Sequence, residues 1–171
     1  MFKLIGSVGI LYGFAKGIWE WNKRQRIGQE RLKELVYFLS RMEQAIEREQ
    51  IPMPVFLQIY SSRDVVMKKT IEKLHCTLIR QEAKGMEEAW RSVFLDMQRE
   101  WDLSPASWEM ILDCARAFSH THRKELVEFL KKERDYLEQQ KQKEYVEYQQ
   151  KKKVFLPVGM LSGAMLVLLF L

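Results

Sequence analysis

The chain has 171 residues, a formal net charge of +5 and two cysteines. Positive and negative side chains alternate along most of it, as in Glu30-Arg31 and Lys33-Glu34, which indicates solvated helix faces and not a stripe that binds nucleic acid. Two cysteines make no disulfide framework, and no C-x-x-C metal pair is present. Proline and glycine are scarce between the chain's two apolar ends, and strand-type alternation is hard to find. We therefore predict an all-α protein.

The N-terminal segment, residues 1–20, is mostly apolar. Its stretch Leu4–Trp19 contains Lys16 as its one charge and would be about 24 Å long as an α-helix, a marginal membrane span. We predict an N-terminal membrane segment with Trp19 and Trp21 at the membrane interface. A cleaved signal peptide is the alternative, because a basic residue followed by a short apolar core also fits that pattern.

The C-terminal segment, Val154–Leu171, is an uncharged apolar run of eighteen residues. As a helix it would be about 27 Å long, close to the roughly 30 Å of bilayer hydrocarbon. We predict a C-terminal transmembrane helix here, with a buried core helix as the alternative. Gly159 and Gly163 have the GxxxG spacing of packed membrane helices, but two small residues in an apolar segment are the simpler interpretation.

Basic residues flank both apolar segments on the inner side, at Lys23–Arg26 and at Lys151–Lys153. Positive flanks favour the cytoplasmic side of a membrane. Both flanks belong to the central region, residues 21–153. We therefore predict that this region is a cytoplasmic multi-helix bundle between two transmembrane helices, and that the lipid bilayer is one of its partners.

The central region begins with a strong amphipathic helix, predicted over Gln29–Glu49. Its apolar residues fall on alternating steps of three and four, at Leu32, Leu35, Leu39, Met42 and Ile46. Pro52 and Pro54 end this helix, because each proline restricts the residue before it. A short helix over Pro54–Tyr60 follows, with Pro54 at its first position.

Further helices are predicted over Asp64–Lys84, stopped by Gly85, over Met86–Gln98, and after a cap at Ser104-Pro105. Ser119–His122 is the last predicted break. The predicted inward faces are Met67, Ile71, Leu74 and Leu78; then Met86, Ala89, Trp90, Val93, Phe94 and Met97; then Trp108, Ile111, Leu112, Ala115 and Phe118. From Arg123 to Leu156 there is no proline or glycine, so one long helix is predicted, whose polar second half is a stalk leading to the C-terminal segment.

No residue pattern indicates an enzyme. His120 and His122 lie two apart without a third ligand nearby in sequence, so a polar turn explains them better than a metal site. Cys76 and Cys114 stand alone on helices without a nucleophile motif. The tryptophans Trp90, Trp101 and Trp108 are expected in the core, and the many glutamates on solvated faces. We predict no catalytic, cofactor-binding or metal-binding residues, no cofactor and no small-molecule substrate.

Several blocks together resemble the stage III sporulation protein AB family of endospore-forming bacteria. They are Met1–Gly6, Arg31–Ile59, Gly85–Trp90 and the Gln-, Lys- and Glu-rich helix before the C-terminal segment. The resemblance covers essentially the whole chain. The chain departs from the family at Ala117–His122, where the family commonly has a Leu-Gly turn followed by an Asp and a later Gln.

The resemblance implies a non-enzymatic platform or scaffold of the channel-like apparatus between mother cell and forespore, located in the mother-cell membrane that faces the forespore. The helical domain would be similar to those of the inner-membrane platform proteins of type II secretion and type IV pilus systems. The implied protein partners are those of a sporulation channel complex, including the cytoplasmic motor ATPase of the sporulation operon. The alternatives are a membrane-anchored adaptor unrelated to sporulation, a membrane-attached enzyme that uses His120, His122 or Cys114, and a binding module outside the cell.

Overall fold

The computed structural model describes residues 2–119 and 122–170, without the side chains of residues 2–12, 14–15, 155–156, 159–164 and 166–170. Within these ranges every regular element is helical, so the predicted all-α class is confirmed. The elements are α1 (Phe2–Gln44), a π-helical turn (Ala45–Glu49), α2 (Met53–Ile59), α3 (Val65–Ile79), α4 (Met86–Trp101), α5 (Pro105–Asp113), a 3-10 helix (Cys114–Ser119) and α6 (Arg123–Phe170).

The chain divides into two compact units. The first, called here the bundle unit, is Gly28–Gln142. The second, called here the arm unit, combines Met1–Ile27 with Lys143–Leu171. Helices α1 and α6 each contribute to both units. The predicted division into residues 1–20, 21–153 and 154–171 concerns the membrane boundary and stays a prediction.

Among the described residues, no helix has a stretch that is both long enough and apolar enough to cross a membrane. The two predicted membrane segments, residues 1–20 and 154–171, consist largely of side chains that lie outside the described set. Membrane anchoring therefore stays a prediction at this point.

The predicted apolar seam of α1 faces the core of the bundle unit. Its members Leu32, Leu35, Leu39, Met42 and Ile46 are all buried. The predicted faces of α3 and α4 are confirmed in the same way, with Leu78 and Met86 packed against the core at its edge. The core also takes in Phe38, which the spacing of the seam does not include. Burial of these apolar faces is the main force that stabilises the bundle.

Some of the predicted helix boundaries agree with the structure, and others do not. Ser104 caps α5 as predicted, because its Oγ accepts a hydrogen bond of 3.1 Å from the backbone N–H of Ser107. The helix predicted to run to Lys84 ends at Ile79 instead. Gln81 takes a left-handed φ of 54° just after it, so Gly85 is not the helix stop but the residue before α4.

An aromatic cluster fills the centre of the bundle unit. The Trp90 ring is completely buried and lies 4.4 Å from the Phe94 ring and 5.4 Å from the Phe118 ring, measured between centroids. Its indole Nε1 donates a hydrogen bond of 2.8 Å to the carbonyl of Ile111. Trp101, also fully buried, donates from Nε1 to Thr70 Oγ1 at 3.0 Å. The expectation that these tryptophans are core residues is confirmed, and both indole N–H groups have the partners that buried polar groups need.

A polar contact joins the end of α1 to α6 inside the bundle unit. Glu43 is 9% exposed, and Arg134 donates from Nη1 to its Oε2 at 2.5 Å. Lys131 lies 3.2 Å from Glu47. Arg123 donates to the backbone carbonyls of Ile46 and Glu47 in the π-helical turn. The widened turn thus directs carbonyl groups toward an arginine of α6.

Candidate interaction surface

The residues that were considered for catalysis or metal binding are not brought together. Cys76 is exposed and Cys114 is buried. Burial, and next the charge of Glu133, raise the pKa of the Cys114 thiol far above its usual range, which opposes the reactive thiolate. His122 is exposed, while His120 lies outside the described residues. Within the described part of the chain, no group of three His, Cys, Asp or Glu residues is arranged to hold a metal ion.

A surface cavity of about 500 Å³ lies at the start of α4 and includes Phe118 in its lining. Its carboxylates already have partners. Glu88 Oε2 accepts a hydrogen bond of 2.8 Å from the backbone N–H of Lys84, and Glu87 lies 3.7 Å from Arg91. The cavity therefore offers no paired acid and base for chemistry.

Helix α2 is apolar on both of its faces. Phe56 and Leu57 point into the core and are 5% and 3% exposed. Val55 and Ile59 point outward and are 45% and 61% exposed. Since residues four apart are neighbours on a helix surface, these two side chains form one outer strip. Helix α2 therefore fills its inner face and still presents two apolar side chains to solvent.

Tyr60, at the end of α2, ties this helix to α1. Its ring lies 4.9 Å from the Phe38 ring and 5.7 Å from the Phe56 ring, measured between centroids. Burial, and next the charge of Glu34 on α1, raise the pKa of Tyr60 above its usual range. Tyr37, which precedes Phe38 on α1, is 55% exposed. Tyr60 therefore joins the end of α2 to the part of α1 that carries Glu34 and Phe38.

The acidic groups around this junction are engaged. Glu34 accepts a hydrogen bond of 2.6 Å from Ser62 Oγ. Asp64 accepts one of 2.8 Å from the backbone N–H of Met67 and lies 3.6 Å from Arg31 Nε. These contacts hold the α2–α3 loop against α1, so Arg63 lies beside the same part of α1.

The positive groups are not engaged. Lys33 and Arg63 are exposed, and neither has a hydrogen-bond or ion-pair partner in the part of the chain that the structure describes. We name Lys33, Tyr37, Val55, Ile59 and Arg63 the α1–α2 surface. It presents two exposed apolar side chains and two exposed cations.

Sequence reasoning did not find this surface. One signal was available, because a helical projection of α2 already puts Val55 and Ile59 opposite Phe56 and Leu57. The attachment of the α2–α3 loop to α1 depends on tertiary contacts and leaves no local pattern.

The arm unit is a second region that presents side chains outward. Tyr148 and Asn22 are joined by a hydrogen bond of 2.8 Å, and the rings of Trp21 and Tyr148 have centroids 5.7 Å apart. Residue 22 lies near the end of the first arm and residue 148 near the start of the second. The two arms can form one compact unit about this contact only if they run antiparallel. Trp21, predicted at a membrane interface, packs against the other arm.

Taken together, the described residues define an all-α protein that, within that part of the chain, assembles no metal site. A comparison with family models makes the assignment specific. The chain belongs to the stage III sporulation protein AB family, whose model matches residues 3–171. The resemblance read from the sequence is thereby confirmed, and the role of the chain falls in stage III of sporulation. Comparisons with curated proteins and with solved structures find no match.

Proposed function

We propose that this chain is a non-enzymatic membrane platform of the stage III sporulation apparatus, and that its bundle unit binds a cytoplasmic motor ATPase. The location that follows is the mother-cell membrane facing the forespore, with the bundle unit in the cytoplasm. This proposal combines the family membership with the sequence prediction of two apolar ends and their basic flanks.

The observation that supports docking most directly is the outer strip of α2. Val55 and Ile59 expose apolar area although α2 already buries Phe56 and Leu57. When a partner covers exposed apolar side chains, the complex is stabilised by about 25 cal/mol for each Å² removed from water.

The charge of the α1–α2 surface supports the chemistry of the partner. Lys33 and Arg63 are exposed cations, whereas the nearby carboxylates of Glu34 and Asp64 are held by other groups. An acidic segment with an apolar anchor would pair with these cations at the rim and cover the strip at the centre. Such complementary charge mainly raises the association rate and the specificity.

Co-purification of the full-length chain, in mild detergent, with the motor ATPase of the sporulation operon tests the proposal. The variant Val55→Asp/Ile59→Asp places two charges in the strip, and we expect it to lose the ATPase. The matched control is Ile79→Asp, because Ile79 is also 61% exposed but lies at the end of α3. The control is expected to retain binding.

Two results would contradict the proposal. The first is no binding of the ATPase by the wild-type chain when circular dichroism shows it to be helical. The second is equal binding by the wild type and the strip variant, which would move the docking site away from α2. Raised ionic strength should weaken the complex, because Lys33 and Arg63 act through solvent-exposed charge.

A further inference from the structure

One tryptophan of the first arm is exposed and lies beside a cation. Trp19 is 63% exposed, and Lys23 Nζ lies 5.4 Å from the centroid of its ring. A tryptophan so exposed contributes little to the stability of the chain. Its amphipathic ring with an ammonium group beside it suits the polar head-group region of a lipid surface.

Three lysines of the second arm lie at the same level. Trp19 comes three residues before Asn22, and Lys151 comes three residues after Tyr148. If antiparallel arms are joined at Asn22 and Tyr148, Trp19 and Lys151 each lie about 4.5 Å from that contact along the helix axis, in the same direction. Lys152 and Lys153 continue this level. We name Trp19, Lys23 and Lys151–Lys153 the collar.

The charges of the collar are available for a ligand. Lys151 lies 3.9 Å from Glu147, a long and exposed ion pair that contributes little. Lys152 and Lys153 are exposed, and neither has a hydrogen-bond or ion-pair partner among the residues that the structure describes. Ammonium groups on flexible stems are suited to phosphate oxygens, which they meet as point charges.

The polarity of the second arm changes at the collar. On one side, Lys143 to Gln150 are polar except for Tyr145, Val146 and Tyr148. On the other side, Val154, Val158 and Met165 are 61%, 52% and 69% exposed although they are apolar. A change from polar to exposed apolar side chains across a ring of lysines and tryptophan matches the boundary between head groups and acyl chains of a bilayer.

We propose that the collar is a binding site for the phosphate groups of anionic phospholipids. This inference rests on the membrane attachment in the proposed function and adds the chemical class of lipid that the arm unit selects. Each lysine at an anionic lipid surface is expected to favour it about fivefold over a neutral one.

The test uses the full chain in nanodiscs whose phosphatidylcholine contains a fixed fraction of brominated phosphatidylglycerol or brominated phosphatidylcholine. Quenching of tryptophan fluorescence reports lipid contact, and Trp19→Phe identifies the part that comes from Trp19. The wild type should prefer the anionic lipid about fivefold or more. Lys151→Gln/Lys152→Gln/Lys153→Gln should remove most of this preference and leave only the contribution of Lys23, whereas replacing the same lysines by arginine should keep it.

The matched control is Lys84→Gln/Lys124→Gln/Lys132→Gln, which removes three exposed charges from the bundle unit and should leave the lipid preference unchanged. Equal quenching of the wild type by both lipids, or a preserved preference in the collar variant, would overturn the lipid site while leaving membrane attachment intact. Failure of the chain to enter nanodiscs would overturn the membrane attachment itself. Loss of the preference on adding soluble glycerol phosphate at constant ionic strength would show a phosphate site that is not selective for lipid.

Discussion

The bundle unit and the arm unit are both helical, but they are stabilised differently. In the bundle unit, apolar side chains from α1 to α6 are buried, and Trp90 and Trp101 are completely removed from solvent. In the arm unit, none of the side chains that the structure describes is fully buried. Its described contacts between arms include one tilted ring pair and one hydrogen bond. The bundle thus obtains its stability from its own packing.

This difference shows why the two units respond to different partners. A packed core resists change, so the bundle can present a fixed α1–α2 surface. Two long helices with exposed apolar side chains are expected to be only marginally stable in water, because isolated helices are marginally stable. In the proposed function, the bilayer supplies the burial that the arms lack.

Substitution of one tryptophan in each unit tests most directly whether the two units are stabilised differently. Trp90→Ala removes a fully buried ring and its hydrogen bond to Ile111, and should lower the free energy of unfolding by about 3–5 kcal/mol. Trp19→Ala removes a ring that is 63% exposed and should change it by less than about 0.5 kcal/mol. Urea unfolding of both full-length variants checks this, and similar losses in both would contradict it.

A smaller loss is expected from the contact between α1 and α6. Arg134→Met leaves the nearly buried carboxylate of Glu43 without its shortest hydrogen bond, which should cost about 2 kcal/mol. Lys68→Met is the matched control, because the Lys68–Glu72 pair is 3.9 Å long and mostly exposed, and it should cost less than about 0.5 kcal/mol. Equal effects in urea unfolding would show that burial does not strengthen the first pair.

A pH-dependent effect is expected at Glu133. Burial, and next the charge of Asp113, raise the pKa of Glu133 above its ordinary value of 4.5. The folded state then holds a proton that the unfolded state has lost, so the stability contribution falls as the pH rises through this window. Glu133→Gln should therefore be more stable than the wild type at pH 7, and the difference should shrink as the pH falls toward 4.5. Denaturation over this pH range checks the sign, and a difference that stays constant between pH 7 and pH 4.5 would contradict it.

The smallest effect on stability is expected from two glycines of α1, of which Gly17 lies in the arm unit and Gly28 in the bundle unit. A methyl group at Gly17 would meet open space, so Gly17→Ala should stabilise its helix by about 0.5–1 kcal/mol through helix propensity. At Gly28 the new carbon would lie 3.1 Å from the carbonyl oxygen of Asp102, and the same gain should be lost. Slower amide hydrogen exchange around residue 17 but not around residue 28 is the expected result, and equal slowing would contradict it.

The apolar periodicity of the sequence predicts the seam of α1 and the faces of α3 and α4, because these depend on which residues share a helix face. The end of α3 was predicted wrongly, because Gln81 takes a left-handed conformation although it is not a glycine. Glu43 and Glu133 were expected in solvent, as ordinary surface glutamates, but both are 9% exposed. Their burial depends on residues distant in sequence, as the Arg134 contact to Glu43 shows.

The π-helical turn at Ala45–Glu49 carries one residue more than an α-helix would use over the same rise. Its backbone N–H at Gln50 donates back five residues, to Ala45, instead of the four residues of an α-helix. The turn therefore resets the phase of the chain by about 100° before α2 begins. Removal of one residue here would turn the last carbonyl groups of the helix by about 100°. The carbonyls of Ile46 and Glu47 would then leave the positions in which Arg123 of α6 donates to them. A single extra residue in the π-helical turn thus aligns the end of the first long helix with the start of the last one.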